Sequence, residues 1–540
     1  MPVKVSVVVP VYDPGPYIDR CIRSILGQSL PDDEFETIFV NDGSTDATPR
    51  RLDALAAKHP QIRIIHQANS GWPGKPRNVG IDAARGEYVF FLDHDDALGR
   101  EALERMYAMA VRNGSDIVIG KMAGHYRGVP KHLFLASRDR VTMADAPLLD
   151  ALTPHKLFRR AFIEEHGLRF PEGRRRLEDH VFVVKAYFLA EVISVLADYI
   201  CYYHYRREDR ANAGLRRLEP AGYYGNLREV IGIVEANTAP GRFRESLLER
   251  FARAELLGRL RGRVFIDYPE DYRRDLFAEI RAVIDEHIGP RVDELLEPAH
   301  RAQMALLHAG RLDLLVTLAQ AERQVSAFAR IVRLEWIPDG TLSLTIEAGL
   351  RVGREPLGVE RHGDRLLLRV PDEVAAVLPD DARLVGAPLS GRARLVIRRH
   401  DDSAELVVPT SLELRVESGN DGCDRLTFVL KGAFDPRTIA GGESLWPGVW
   451  DVIAMVDSLG YAAETRLGIP IEGGHAARSA VLQVGALRIH SYWSRPKRHL
   501  TIEVGGPGYY RRDRQVVRTL RHGAGRVIRR ARREAMRLRR

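Results

Sequence analysis

Cysteine is scarce in this chain of 540 residues: Cys21, Cys201 and Cys423 stand far apart, which excludes a local metal knuckle and offers no disulfide framework. They read as small buried hydrophobes. No apolar run approaches the roughly 18 residues needed to span a bilayer, and the opening Met1-Pro2-Val3-Lys4-Val5 lacks the basic, apolar and small-residue series of a secretory signal. The chain is therefore expected on the cytosolic side. Neither G-x-G-x-x-G nor G-x-x-x-x-G-K-[ST] follows the first strand-like stretch, which argues against a dinucleotide or P-loop site.

What is present is ordinary globular composition, 45% hydrophobic and 29% charged, in a chain too long for one core. The net charge of +8 is unevenly spread. Thirteen arginines between Arg511 and Arg540 face only Asp513 and Glu534, so the tail carries the basicity and the remainder is slightly acidic.

The first half alternates strand and helix patterns. Val5–Val11 is an apolar, β-branched run of the kind buried on both faces, and Ile18, Cys21, Ile22, Ile25 and Leu26 then mark one face of a helix. Phe35–Val40, Ile62–His66, Glu87–Leu92 and Asp116–Ile119 read as strands; Thr45–Lys58, Pro76–Ala84 and Glu101–Arg112 read as helices. Such alternation predicts a Rossmann-like α/β domain, with a mostly parallel sheet whose ligand crevice lies beyond the strand C-termini.

The residues expected at those strand ends are polar. They are Pro10, Tyr12 and Asp13; Asn41-Asp42-Gly43-Ser44; Asn69-Ser70-Gly71 with Arg77-Asn78; and Asp93-His94-Asp95-Asp96. A carboxylate such as Asp42 can accept from a base N–H, Arg77 can pair with phosphate, and paired acids can hold a metal on a diphosphate. Taken singly, these motifs are equally well turns or helix caps. Their recurrence at successive strand ends favours a nucleotide-diphosphate site.

With Val7-Val8-Val9-Pro10-Val11-Tyr12, Asn41-Asp42-Gly43-Ser44-Thr45-Asp46, Asn69-Ser70-Gly71, Arg77-Asn78-Val79-Gly80 and Phe91-Leu92-Asp93-His94-Asp95-Asp96 in order, the first 210 residues or so resemble the family 2 inverting glycosyltransferases of the GT-A fold. The resemblance implies that the first-strand loop and Asp42 contact the nucleoside, and that the D-x-D pair Asp93 and Asp95 engages ribose and a divalent Mn2+ or Mg2+, with Asp95 the firmer ligand. It also implies a base within Arg176-Leu177-Glu178-Asp179-His180, which precedes a helix expected over Val181–Leu189. Asp179 is the candidate base and Glu178 the orienting acid, with the reverse assignment open. His204, Arg206 and Arg207, within Tyr202-Tyr203-His204-Tyr205-Arg206-Arg207 at the last strand's end, are candidates for metal or leaving diphosphate. The Q-x-x-R-W motif of processive synthases is missing.

Four parts are expected: a GT-A domain over 1–215, a helical linker over 216–324, one or two β-sandwich modules over 325–505, and a basic amphipathic tail over 506–540. Linker helices are expected at Tyr223–Glu235, Arg242–Leu260, Tyr272–His287 and Val292–Ala309, either shaping the acceptor side or merely connecting, and without motif chemistry. Beyond Val325 the period becomes 2, with strand signals such as Leu366–Val370, Ala393–Ile397 and Gly448–Val452, and Trp450 reads as core. This arrangement resembles bacterial transferases that decorate wall teichoic acid. It implies a uridine diphosphate donor, carrying N-acetylglucosamine or another hexose, and a phosphate-bearing polymer acceptor. In the tail, Val517, Leu520, Ala524, Val527, Ile528, Ala531, Ala535 and Leu538 share one helical face amid arginines. It suits an anionic membrane surface on the inner leaflet, the polymer itself, or a solvated terminus. No nucleic acid is expected, since no base-reading module accompanies the arginines. A non-catalytic polyanion-binding scaffold is the rival to the enzyme, and the oligomeric state is open.

Overall fold

The computed structural model describes residues 2–125, 128–209, 217–386, 391–419, 423–440, 442–468, 480–484, 487–494 and 498–505, with only the backbone course described at 480–484 and Leu487. The arginine-rich tail lies outside the described residues.

The first part is built on a nine-stranded sheet. Its strands are β1 Val5–Val11, β2 Phe35–Asp42, β3 Ile62–Gln67, β4 Tyr88–Phe91, β5 Ala97–Leu98, β6 Ile117–His125, β7 Arg138–Val141, β8 Leu157–Arg159 and β9 Ile193–Tyr205. The order is β3-β2-β1-β4-β8-β6-β9-β5, with β7 also pairing β9. β3, β2, β1 and β4 run parallel, as do β6 and β9. The short β8 enters antiparallel between β4 and β6. Every residue of β1 and β2 is buried, which is why both read as unbroken apolar runs.

Helices α1 Ile18–Leu26, α2 Thr48–Ala56, α3 Gly74–Ala83, α4 Ala102–Asn113, α5 Arg160–Glu165 and α6 Glu178–Leu189 cover this sheet. α3 lies so close to β1 that a Cβ on Gly80 would sit 2.2 Å from Val8 Cγ1. The register aligns Val11 with Asn41 and Asn41 with His66, so the polar strand ends reach one edge together.

The helical part that follows begins with α7 Pro220–Ala236 and α8 Arg242–Phe251. The single helix expected over 242–260 is three pieces: α8, a π turn at Ala252–Leu256, and a 3-10 turn at Leu257–Leu260. The helix expected over 292–309 is likewise divided, into Pro290–Leu295 and Pro298–His308, because Glu297 precedes a proline and is extended. Glu270–His287 matches its expectation closely, and Leu312–Glu322 is an additional helix.

Beyond it, two seven-stranded antiparallel sheets run from Val325 to Gly505. Trp450 is fully buried and donates its indole N–H to the Trp446 carbonyl at 3.1 Å, so it is core rather than a sugar platform. All three cysteines are free and buried.

Candidate functional site

The site begins where β1 and β2 end. Asp13 adopts a left-handed φ of 39° and accepts from Thr45 N at 2.7 Å, while its own N–H donates to Ser44 Oγ at 3.0 Å. Its carboxylate therefore ties the first loop to the second. Gly43, at φ 72°, is required there: a Cβ would lie 2.7 Å from Asn69 N. Asp42 is buried and accepts from Gln67 Nε2 at 2.6 Å and from Ser70 N at 3.0 Å, and Asn69 Nδ2 donates to its carbonyl at 2.8 Å. Asp42 and Asn69 thus organise the loop after β3. Tyr12 is half exposed. Pro10 is in β1, its carbonyl accepting from His94 Nδ1 at 3.1 Å.

Arg77 is tied to two carboxylates: its guanidinium is buried, donating to Glu178 Oε1 and to Asp93 Oδ1, each at 3.0 Å. The forked cation joins the candidate metal acid to the candidate catalytic pair. Neighbouring Asn78 makes a two-way bond with the Phe170 backbone, at 2.9 and 2.8 Å, fixing the segment that leads to α6.

Glu178 and Asp179 lie in the first turn of α6, two residues inside the helix rather than ahead of it. Leu177 before them has φ 63°, a conformation costly for a branched side chain and characteristic of functional sites. Glu178 is buried and also accepts from Trp72 Nε1 at 2.7 Å. Burial, and then the adjacent Asp179 charge, push its carboxyl up to about 7 against Arg77 and Trp72. For Asp179 burial works the same way but is overcome by His180, so this carboxylate stays below its ordinary range. Both His180 bonds, from N and Nδ1, reach Asp179 Oδ1 at 2.9 Å, so Oδ2 is outside both.

The acids after β4 make two overlapping groups, Asp93 with Asp95 and Asp96, and Asp96 with His155 and His204; within each, ligand atoms lie within 4.8 Å of one another. Asp96 is fully buried and accepts from Tyr202 OH at 2.7 Å, His204 Nδ1 at 3.0 Å and Tyr205 N at 2.8 Å. It orients His204. His155 donates Nδ1–H to the Phe91 carbonyl at 3.2 Å, and its Nε2 stands 3.6 Å from Asp93 Oδ2. Burial pushes His155 down to about 3, so it is neutral at ordinary pH. Asp93 itself is held well below the carboxylate range: burial opposes this, while His155 and Arg77 favour it, and with His155 neutral the acting cation is Arg77.

This donor set fits a divalent cation. Both histidines give their Nδ1–H to an oxygen acceptor, the pattern that leaves Nε2 with its lone pair for a metal, and the acids supply hard oxygens. The structure thus brings His204, Asp93 and Asp95 to linked groups. Arg206 is exposed, and Arg207 pairs with Asp209 at 2.7 Å and covers the Tyr17 ring at 4.4 Å. His155, Trp72 and His180 escape a reading of strand ends, since His155 and Trp72 sit in loops without period. Asp96 was visible as the fourth member of its run.

Residues 6–165 match glycosyl transferase family 2, and residues 220–319 match the glycosyl transferase TarS linker domain. Among characterised proteins, a poly(ribitol-phosphate) beta-glucosyltransferase of Bacillus spizizenii is 28% identical over 86% of this chain and 72% of its own length. A poly(ribitol-phosphate) beta-N-acetylglucosaminyltransferase TarS of Staphylococcus aureus is 31% identical over 64% of this chain and 59% of that protein. The crystal structure of S. aureus TarS 1–349 in complex with UDP-GlcNAc superposes with a TM-score of 0.51 at 28% identity, covering 63% of this chain and 96% of that one. A further TarS crystal structure, 23% identical, covers 94% of this chain and 86% of its own with a TM-score of 0.52, a likeness of fold. The chain therefore joins a family 2 glycosyl transferase domain to a linker domain of the TarS kind.

Proposed function

We propose that this enzyme moves a sugar from a uridine diphosphate sugar to a hydroxyl of a poly(ribitol phosphate)-type polymer, with inversion at the anomeric carbon. The observation that carries the reading is the Asp93–Arg77–Glu178 bridge, which sets the candidate metal acids beside the Asp179 carboxylate in a chain similar to polymer transferases over most of its length. A scaffold would have no use for Asp93 and Asp179 held below the ordinary carboxylate range on either side of Arg77.

In the proposed reaction Asp179 Oδ2 takes the proton of the acceptor hydroxyl. The acceptor oxygen bonds to the anomeric carbon as the bond to the diphosphate oxygen breaks. Glu178 does not share this task, because Arg77 and Trp72 occupy its two oxygens; it fixes Arg77 and the loop after β3. Tyr12, half exposed at the end of β1, offers a ring to the nucleobase. Asp93 and Asp95, linked through Asp96 to His204 and His155, would hold a divalent cation such as Mn2+ or Mg2+, which would supply positive charge against the leaving diphosphate.

Relatives named for glucose and for N-acetylglucosamine both align, so UDP-glucose and UDP-N-acetylglucosamine are the donors to compare. The test is release of UDP from each, with and without poly(ribitol phosphate), in Mn2+ or Mg2+ and in chelator. Asp179→Asn is expected to lower kcat by about 10²- to 10⁴-fold while still binding UDP. Wild-type silence with every donor and acceptor would return the chain to the scaffold reading. The tail is proposed to hold the enzyme at an anionic cytoplasmic membrane face.

A further inference from the structure

One buried charged cluster lies outside the site just described and yet touches it. Glu255 sits in the π turn at Ala252–Leu256, part of the helical segment, and is 8% exposed. Its carboxylate accepts from Tyr223 OH at 2.6 Å and from Arg250 Nη1 at 3.0 Å, with Arg259 Nη2 at 3.5 Å. These partners belong to its own segment. On the other side stands His180 of α6, whose Nε2 is 3.9 Å from Glu255 Oε1 and whose Nδ1 is bonded to Asp179.

The His180 ring thus has a carboxylate at each nitrogen. A neutral imidazole carries one N–H and one lone pair, which suits only one of two flanking carboxylates; an imidazolium suits both. Other titratable groups near Asp179 are Glu178, Arg77 and the buried Lys156, and those near Glu255 are Arg250, Arg259 and Tyr223. Burial alone would lower the His180 imidazole, but Asp179 and then Glu255 push it up to about 9. π turns break the i→i+4 ladder at a cost and recur at functional sites, and this one presents Glu255 to α6.

We propose that Glu255 is a positioning residue for Asp179, acting through His180: the helical segment supplies the counter-charge that keeps the imidazolium against Asp179 Oδ1 and so aims Oδ2. This rests on Asp179 being the base, and it gives the helical segment a part in the chemistry beyond connection.

The experiment measures kcat against pH, by UDP release with poly(ribitol phosphate) as acceptor, for full-length wild type, Glu255→Gln, Glu255→Asp, His180→Gln and the Gln/Gln double variant. Losing the Glu255 charge lowers the His180 pKa, so the imidazolium that aims Asp179 is lost at a lower pH on the alkaline side, while in acid Asp179 keeps its cation. The acidic limb is expected to move up by about one pH unit in His180→Gln, which has no imidazolium at any pH, and the alkaline limb to move down by about one unit in Glu255→Gln. An accompanying fall in kcat of about tenfold, with donor KM unchanged, is expected. Glu255→Asp keeps the charge and should keep both limbs. The double variant should lose no more than His180→Gln, since both act along one path. An unmoved acidic limb in His180→Gln, an unmoved alkaline limb in Glu255→Gln, or losses that multiply, overturns the proposal. If Glu255→Gln does not fold, the acidic limb of His180→Gln decides alone. Asp179→Asn separates the two readings: full activity there removes the base assignment, whereas a dead Asp179→Asn with unmoved limbs removes only the role of Glu255.

Discussion

At the scale of the residue, Arg77 shows how a side chain can be picked out of the sequence while its protein partners stay hidden. The sequence places an arginine beside a nucleotide crevice, where phosphate is the usual expectation. It does not show that Glu178, 101 positions away, returns to the same guanidinium. Arg77→Met leaves two carboxylates facing each other in a buried site, and stability should fall by about 3–5 kcal/mol, read as a lowered denaturant midpoint. Arg77→Lys restores charge but not the fork, so it should fall between wild type and Arg77→Met. Equal stability of Arg77→Met and wild type would show that Glu178 or Asp93 is protonated and needs no cation.

His155 is the opposite case, a side chain with no signal at all. It lies in the loop before the three-residue β8, where no period exists to mark a strand end. Only the fold puts it against Tyr202, ring centroids 4.2 Å apart, and next to Asp93. Asp42, Asp93, Asp95, Glu178 and Asp179 were legible because they recur in recognisable runs. Their division of labour was not, because it depends on which donors reach which oxygen.

At the scale of the element, the strands buried on both faces were read almost to the residue, since two-sided burial forces a continuous apolar run. β5 and β8 were missed for the same reason in reverse: two or three residues cannot display a period. The π turn was missed because the charges over 242–260 suit an unbroken helix, and the extra residue per turn has no composition of its own. Helix α3 is placed by contact as much as by propensity. Gly80→Ala puts a Cβ 2.2 Å from Val8 Cγ1, so either α3 lifts from β1 or Val8 leaves its rotamer. Overpacking of this kind costs about 1–3 kcal/mol. Because α3 also carries Arg77 and Asn78, the same variant should weaken UDP binding, measured by titration calorimetry; unchanged binding with lowered stability would place the strain in Val8 alone.

At the scale of the whole molecule, the described parts are tied to one another by polar contacts at several points. Lys131 of the first part reaches Glu405 at 3.3 Å and Glu464 at 3.4 Å in the C-terminal sheets, and Arg261 of the helical segment donates to the Gly460 carbonyl at 2.8 Å. The arginine-rich end is chemically set apart from this body, since removing its charge leaves the rest slightly acidic. An acidic body gains little from an anionic surface, so any attraction to vesicles must come from residues 511–540. Wild type should sediment with vesicles rich in anionic phospholipid and not with neutral ones, and deletion of 511–540 should abolish that difference without altering UDP release from the donor. Salt separates the two forces in a basic amphipathic segment: charge attraction weakens as the screening length drops from about 10 Å at 0.1 M to about 3 Å at 1 M, while apolar insertion persists. Binding lost entirely in high salt would assign the tail to a charged polymer or surface without insertion. Sedimentation unchanged by the deletion would remove the tail from membrane association altogether.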